Sequence, residues 1–182
     1  MPRSKEYPQR RHSVNRREFL LGAGSSAAAL TFVPRRVLGG SGYVAPSDKI
    51  TVACIGVGAQ GTRVMMDFLK QPDIQIVSVC DVNKESHDYV EWWPGELREK
   101  QRALLGSRYS DWGNDWKGAP AGREPARRLV EAYYAAQAPS TKYKGCAAYV
   151  DYRELLEKEK HLDAVMVGTP DHTHAMISIA AM

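Results

Sequence analysis

At 182 residues the chain is long enough for one ordinary domain. Its net charge of +4 is unevenly placed: residues 1–40 carry eight Lys/Arg against two Asp/Glu, a net of +6, which leaves −2 for residues 41–182. The basic balance belongs to the N-terminal tail, and the remainder holds no basic stripe of the kind that binds nucleic acid. Cys54, Cys80 and Cys146 are an odd number without metal-like spacing, which argues against a disulfide framework. Cys54 and Cys80 fall inside predicted strands, where a thiol acts as a small hydrophobe.

The tail, residues 1–39, has the layout of an export peptide, charged and then apolar. Asn15-Arg-Arg-Glu-Phe-Leu-Leu21 precedes a weakly apolar stretch at 22–33, rich in Gly, Ala and Ser. That stretch is shorter than the ~20 apolar residues a membrane span requires. It resembles the bacterial twin-arginine signal, with Asn15 in place of the usual Ser/Thr and Leu21 in place of the usual Lys. The resemblance implies recognition by the twin-arginine export machinery and a periplasmic or otherwise exported protein, with cleavage near Val37-Leu-Gly39. A disordered basic tail and an uncleaved anchor are the alternatives. Residues 40–48 form a linker broken by Gly, Ser and Pro.

The domain, residues 49–182, opens on the most informative stretch. Residues 50–55 are a nearly all-apolar run with β-branched members, which predicts a buried parallel strand. Gly56, Gly58 and Gly61 follow at G-x-G-x-x-G spacing, and Val64, Met65, Phe68 and Leu69 then recur at helical intervals. Strand, glycine turn and helix in this order are the context a dinucleotide fingerprint needs. Gly56 permits the tight turn, Gly58 lets backbone approach a pyrophosphate, and Gly61 lets helix pack close to strand. The amides from Ala59 and Gln60 onward offer unpaired N–H groups and a positive dipole end to phosphates. Residues 74–80 form a second strand, and Asp81 stands at its end, 20 positions after Gly61. That is the offset of the acid that hydrogen-bonds the adenosine ribose, which favours NAD over NADP. The bland alternative is that Asp81 caps a turn into Val82-Asn83.

Residues 83–122 are long and polar and hold all four tryptophans, Trp92, Trp93, Trp112 and Trp116. Val90, Trp93, Leu97 and Leu104 lie near helical spacing, whereas residues 106–122 read as loop. The aromatics suit a small satellite core better than a sugar-stacking or partner surface. Because the segment starts beside the expected adenosine position, it could also serve as a lid. Residues 124–137 predict a helix with Ala126, Leu129, Val130, Tyr133 and Tyr134 on its apolar face. Residues 149–156 predict a short strand and a helix start, with Asp151 as N-cap and Glu154 at N3 of a capping box. Residues 163–168 predict another buried strand, followed by Thr169-Pro170-Asp171-His172-Thr173-His174 and an apolar helix at 175–182. Asp171, His172 and His174 are three potential ligands within four residues, yet no other cluster completes a tetrahedral set. The reading there is no metal, with cofactor-edge contact or helix capping instead. Four strands with intervening helices predict an α/β fold, a doubly wound Rossmann sheet that is incomplete in this chain. The uncapped apolar helix at the end predicts a fragment of a longer protein, inactive by itself.

The combination I-G-V-G-A-Q-G, C-D-V-N, Y-x-D-Y-R-E-L-L and D-A-V-M-V-G-T-P-D-H-T-H resembles the glucose–fructose oxidoreductase/inositol dehydrogenase/MocA family over residues 48–182. The resemblance implies a Rossmann domain for NAD or NADP followed by an α/β domain that binds a carbohydrate substrate, and a homo-oligomer when full length. It implies that Thr169, Pro170, Asp171 and His174 pass near the nicotinamide side of the cofactor. Residues 83–122 are longer than the family's usual connection. The family's Glu-Lys-Pro lysine and substrate-domain histidine would fall beyond Met182, so no catalytic residue is assigned. The expected activity is hydride transfer between a sugar or polyol and nicotinamide. The alternatives are an NAD-dependent, redox-neutral glycosidase of the same family and a non-catalytic nucleotide-binding protein.

Overall fold

The computed structural model describes residues 48–86, 88–137 and 145–182. Residues 1–39, on which the export reading falls, and all but the last residue of the linker lie outside them. The run after the linker forms β1 (Ile50–Ile55), and the glycine turn leads into α1 (Ala59–Leu69). There follow β2 (Ile74–Cys80), α2 (Glu96–Leu105), a single 3₁₀ turn at Ser107–Tyr109 and α3 (Arg123–Gln137). The chain then gives β3 (Ala147–Tyr149), α4 (Tyr152–Lys158), β4 (Ala164–Val167) and α5 (Asp171–Ala181).

The four strands make one parallel sheet in the order β3-β2-β1-β4. β1 is central, and the order reverses beside it: the chain steps outward through β2 and β3, then returns to β4 on the other side. Helices cover both faces, as parallel crossovers require. Val52 and Cys54 of β1 join the core with α1, α2 and α3, while Ala53 and Ile55 join Leu155 of α4 and Ile177 of α5 on the opposite face. The period-2 alternation of a strand divides one apolar run between two cores. This is a Rossmann-like α/β fold.

An irregularity in β2 keeps the two cores consistent. Val52 pairs with Ile76, but Ala53 pairs with Ser78, so Val77 is an extra residue. Ile76 and Val79, three apart, thereby both reach the first core. The bulge resets the parity of the strand before it arrives at Asp81.

Several expectations need correcting. β4 is an edge strand, with Ala164 exposed and only Met166 fully buried. The helix expected from Val90 onward begins at Glu96, because Pro94 and Gly95 (φ 83°) interrupt it. Val90 and Trp93 are accordingly exposed, and the Glu91 carboxylate accepts from Gly95 N and Leu97 N instead. The tryptophans divide. Trp112 and Trp116 are buried edge-to-face in the first core, continuous with the sheet, whereas Trp92 and Trp93 face solvent. Asp151 does cap α4 by accepting from Arg153 N, but Glu154 pairs with Lys158 and leaves the capping box half made. The last helix starts at Asp171, four residues earlier than expected, so Asp171 to His174 form its first turn.

Candidate functional site

The C-terminal edges of β1, β2, β3 and β4 open onto one cleft of about 990 Å³. In doubly wound sheets this is the edge where ligands bind, at the point where strand order reverses. Of the residues singled out from the sequence, Gly56, Gly58, Ala59, Gln60, Gly61, Asp81, Thr169, Pro170, Asp171 and His174 all line it. His172 does not; it is exposed on the outer side of the same helical turn.

The glycine turn is built by exclusion. Gly56 has φ 81°, and a Cβ there would stand 2.5 Å from Thr169 N and 2.7 Å from Gly168 C. A Cβ on Gly61 would overlap the Gly56 carbonyl oxygen. Gly168, not foreseen, completes the set: its Cβ would stand 2.7 Å from Gly56 O and 3.0 Å from Gly61 Cα. Gly56 and Gly61, with Gly168 far along the chain, thus let β1, α1 and the end of β4 meet backbone to backbone. Thr62 locks the turn, its hydroxyl donating to Val57 O at 2.8 Å. Gly58 is the N-cap of α1 and supplies no side-chain cap, and the first turn of α1 carries no acid. The opening N–H groups and the positive end of the helix therefore face the cleft with no acid in their own turn.

Asp81 is 9% exposed and makes the turn cap weighed for it together with a bond into the glycine turn that was not foreseen. Its Oδ1 accepts from Asn83 N at 2.9 Å, the turn cap. Its Oδ2 accepts from Val57 N at 2.9 Å, inside the glycine turn. Oδ1 also accepts from the Tyr89 hydroxyl at 3.2 Å, and that hydroxyl in turn accepts from Asn83 Nδ2 at 3.1 Å. Burial, with the neighbouring Asp81 charge, raises the Tyr89 phenol above its ordinary range, so it stays a neutral donor. Burial likewise pushes the Cys54 and Cys80 thiols up to about 12, and Cys146 upward as well. All three cysteines are free and buried, as the small-hydrophobe reading requires of Cys54 and Cys80.

On the far wall, His174 Nε2 lies 2.6 Å from the Thr169 carbonyl oxygen, so Nε2 carries the proton and donates. Thr173 Oγ1 bonds Thr169 Oγ1 at 2.7 Å and Pro170 O at 2.8 Å. The 169–174 segment is held by its own side chains rather than by a ligand set. Among the described residues no group of three or more His, Cys, Asp or Glu is arranged to hold a metal ion.

The segment 83–122 contributes Asn83, Tyr89 and Val90 to the cleft, and its tryptophans lie elsewhere. Its last residues act from behind. Gly122 N donates to Val57 O at 2.8 Å, Arg123 N to Asn83 O at 3.0 Å and Glu124 N to Lys84 O at 2.8 Å. The Arg123 guanidinium adds a 2.7 Å bond to Asp81 O and a longer one to Val82 O. Arg63 of α1 does not line the cleft and pairs with Glu96. Among the described residues, Arg153 is the one Lys or Arg lining the cleft.

Fold and site together describe a Rossmann-like α/β domain with a glycine-turn cleft and an acid at the end of the second strand. Among curated proteins the chain is similar to a "Glycosyl hydrolase family 109 protein" of Stenotrophomonas maltophilia (strain K279a), 22% identical over 170 residues. The match covers 93% of this chain, which spans about 28% of that relative's length. No family model matches the chain, and no solved structure does.

Proposed function

We propose that this cleft binds NAD and that the protein is an exported oxidoreductase acting on a sugar or polyol. The observation that carries the reading is the junction at Asp81: its carboxylate lines the cleft and is bonded to the amide of the glycine turn that would receive the pyrophosphate. The cradle fits the cofactor chemically. Gly56, Gly58 and Gly61 would let the pyrophosphate reach backbone, the Ala59 and Gln60 amides would receive its charge, and Asp81 would accept from the ribose. Thr169, Pro170, Asp171 and His174 would border the nicotinamide side. The nicotinamide, when bound, supplies hydride acceptance and donation, and the protein's part is position and electrostatics.

NAD is favoured over NADP because a 2′-phosphate would bring like charge to Asp81, with Arg63 committed to Glu96, Arg123 to carbonyl groups and Arg153, the cation lining the cleft, paired with Asp151. A hydrogen bond to a charged group is worth about 1.5–3 kcal/mol, which corresponds to roughly tenfold to a hundredfold selectivity. Titrating the protein with each dinucleotide by calorimetry tests this. Tighter binding of NADP would remove the role given to Asp81, and binding of neither would remove the nucleotide reading.

A second reading has specific support. The matched relative is named for glycosyl hydrolase family 109, a family of the same Gfo/Idh/MocA type that the motifs resemble. In that reading the protein is a redox-neutral glycosidase, which oxidises a sugar transiently, eliminates the aglycone and returns the hydride. Product identification together with nicotinamide absorbance during turnover separates the two: net reduction of the cofactor favours the oxidoreductase, and cleavage without net change favours the glycosidase. The export part of the proposal rests on the Arg16-Arg17 motif and the apolar stretch after it.

A further inference from the structure

Tyr89 belongs to none of the motifs, yet it touches both halves of the candidate site. Its ring lies against Gly58: a Cβ built there would stand 2.9 Å from Tyr89 Cε1 and 3.3 Å from Cδ1 and Cζ. Gly58 is the glycine whose bare backbone should admit a pyrophosphate. The space its missing side chain leaves is filled by the phenol ring.

The hydrogen-bond count at Asp81 points the same way. A carboxylate offers about four lone-pair positions, two on each oxygen. Oδ1 already accepts from Asn83 N and Tyr89 Oη, and Oδ2 from Val57 N. One position remains, on Oδ2. The two amide bonds are fixed by the backbone, whereas the Tyr89 bond is made by a rotatable side chain. A ribose diol that presents one hydroxyl to each carboxylate oxygen can reach Oδ1 only where the Tyr89 hydroxyl has left.

We propose that Tyr89 is a built-in competitor for the adenosine-ribose and pyrophosphate positions, and so a residue that sets affinity for the dinucleotide. It covers Gly58 and fills the second position on Asp81 Oδ1 while the cleft is free of nucleotide, and it must rotate away for the nucleotide to seat. Its hydroxyl therefore stabilises the free protein and not the complex. The inference rests on the NAD reading of the cleft, and it adds a residue that the fingerprint does not contain.

The test compares wild type, Tyr89→Phe and Tyr89→Ala by NAD titration, stopped-flow association and thermal denaturation with and without saturating NAD. Tyr89→Phe keeps the ring and frees one acceptor position on Asp81, so NAD should bind several-fold more tightly. Tyr89→Ala also uncovers Gly58, and affinity should rise roughly tenfold, mostly through faster association, the scale of one charge-assisted hydrogen bond. Tyr89→Phe should melt below wild type without NAD, and the gap should close at saturating NAD, because ligand linkage cancels a bond made only in the free state. Weaker or unchanged NAD binding by Tyr89→Phe would overturn the proposal and make Tyr89 a wall of the pocket; this holds even where Tyr89→Ala fails to fold. Failure of wild type and both variants alike to bind NAD, with normal melting, would instead bring down the nucleotide reading on which it stands.

Discussion

Gly61 and Gly58 both belong to the glycine motif, and the structure separates what each does. A methyl group on Gly61 would overlap the Gly56 carbonyl oxygen, stand 2.9 Å from Gly56 C and 3.5 Å from Gly168 O. All three neighbours are backbone, so relief requires α1 to retreat from the β1–β4 junction by roughly an ångström, a gap that forfeits a quarter to a half of each lost dispersion contact. Met65, Met66 and Leu69 of α1 are buried against the sheet and would share that loss. Overpacking of this kind costs about 1–3 kcal/mol or more, and the higher helix propensity of Ala returns at most about 1. Gly61→Ala should therefore lose about 2–3 kcal/mol and lower Tm by about 10 °C. Gly58→Ala meets first the Tyr89 ring, 2.9 Å away at Cε1, which can swing aside only by giving up its hydroxyl bonds to Asp81 and Asn83, so the loss should be about 1 kcal/mol. Its methyl group would nevertheless stand where the proposed site receives the pyrophosphate, and on that reading NAD binding should fall by tenfold or more. Urea denaturation and NAD titration of the two variants form the assay. Equal stability of Gly61→Ala and wild type would refute the close helix–strand packing, and undiminished NAD binding by Gly58→Ala would refute the phosphate role.

Arg123→Met should loosen the loop after β2, because the Asp81 and Val82 carbonyl groups lose their guanidinium partner; NAD affinity should fall about tenfold, with partial recovery in Arg123→Lys. Equal affinities in all three proteins would show that the loop holds without it. The hydrogen bond from Arg63, then that from Lys100, holds the Glu96 carboxyl at about 2, below its ordinary 4.5. A carboxyl depressed in the folded state stabilises fully above about pH 4.5, and the contribution fades as pH falls toward 2. Glu96→Gln should therefore flatten the acid limb of the stability curve between those values, and superimposable curves would dismiss the Arg63–Glu96–Lys100 group. For export, replacing Arg16 and Arg17 together by Lys should retain the protein in the cytoplasm with NAD binding intact, as fractionation would reveal; unchanged export would discard the twin-arginine reading.

What could be read from the sequence was local or carried by chain distance. β1, α1 and β2 follow from apolar runs whose period survives folding, and Asp81 follows from its offset from Gly61. The features that escaped depend on partners far along the chain. Gly168 gives no local turn signal, and its reason is the backbone of Gly56 and Gly61 opposite. Val77 looks like any strand residue, and only the pairing of Ala53 with Ser78 reveals it as a bulge. The spacing from Val90 to Leu104 predicts a helix start that Pro94-Gly95, a breaker pair plain in the sequence, moves to Glu96. Treating the tryptophans as one group failed for a different reason. Trp112 finds Gln101 Oε1 for its indole N–H at 2.7 Å and can be buried, whereas Trp92 and Trp93 precede the first turn of α2 and have no core to enter.

The long segment after β2 now has a physical reason beyond filling. A binding turn and an acid-bearing loop on adjacent strands must hold a fixed spacing if both are to touch one ligand. Here the start of α3 supplies that spacing: Gly122 bonds the glycine turn at Val57 O, and the next two amides bond the acid loop at Asn83 O and Lys84 O. Gly122 can do so because its φ is 103° and because a Cβ would crowd Glu85 Cα and Lys84 O, both at 3.1 Å. α3 is itself anchored, with Tyr134 Oη accepting from Ile76 N at 2.9 Å and Arg128 lying 4.4 Å over the Trp116 ring. Trp112 and Trp116 brace α3 through Arg128, Tyr134 bonds it to the sheet, and α3 ties together the two loops that the bulged β2 and the glycine turn bring to one edge.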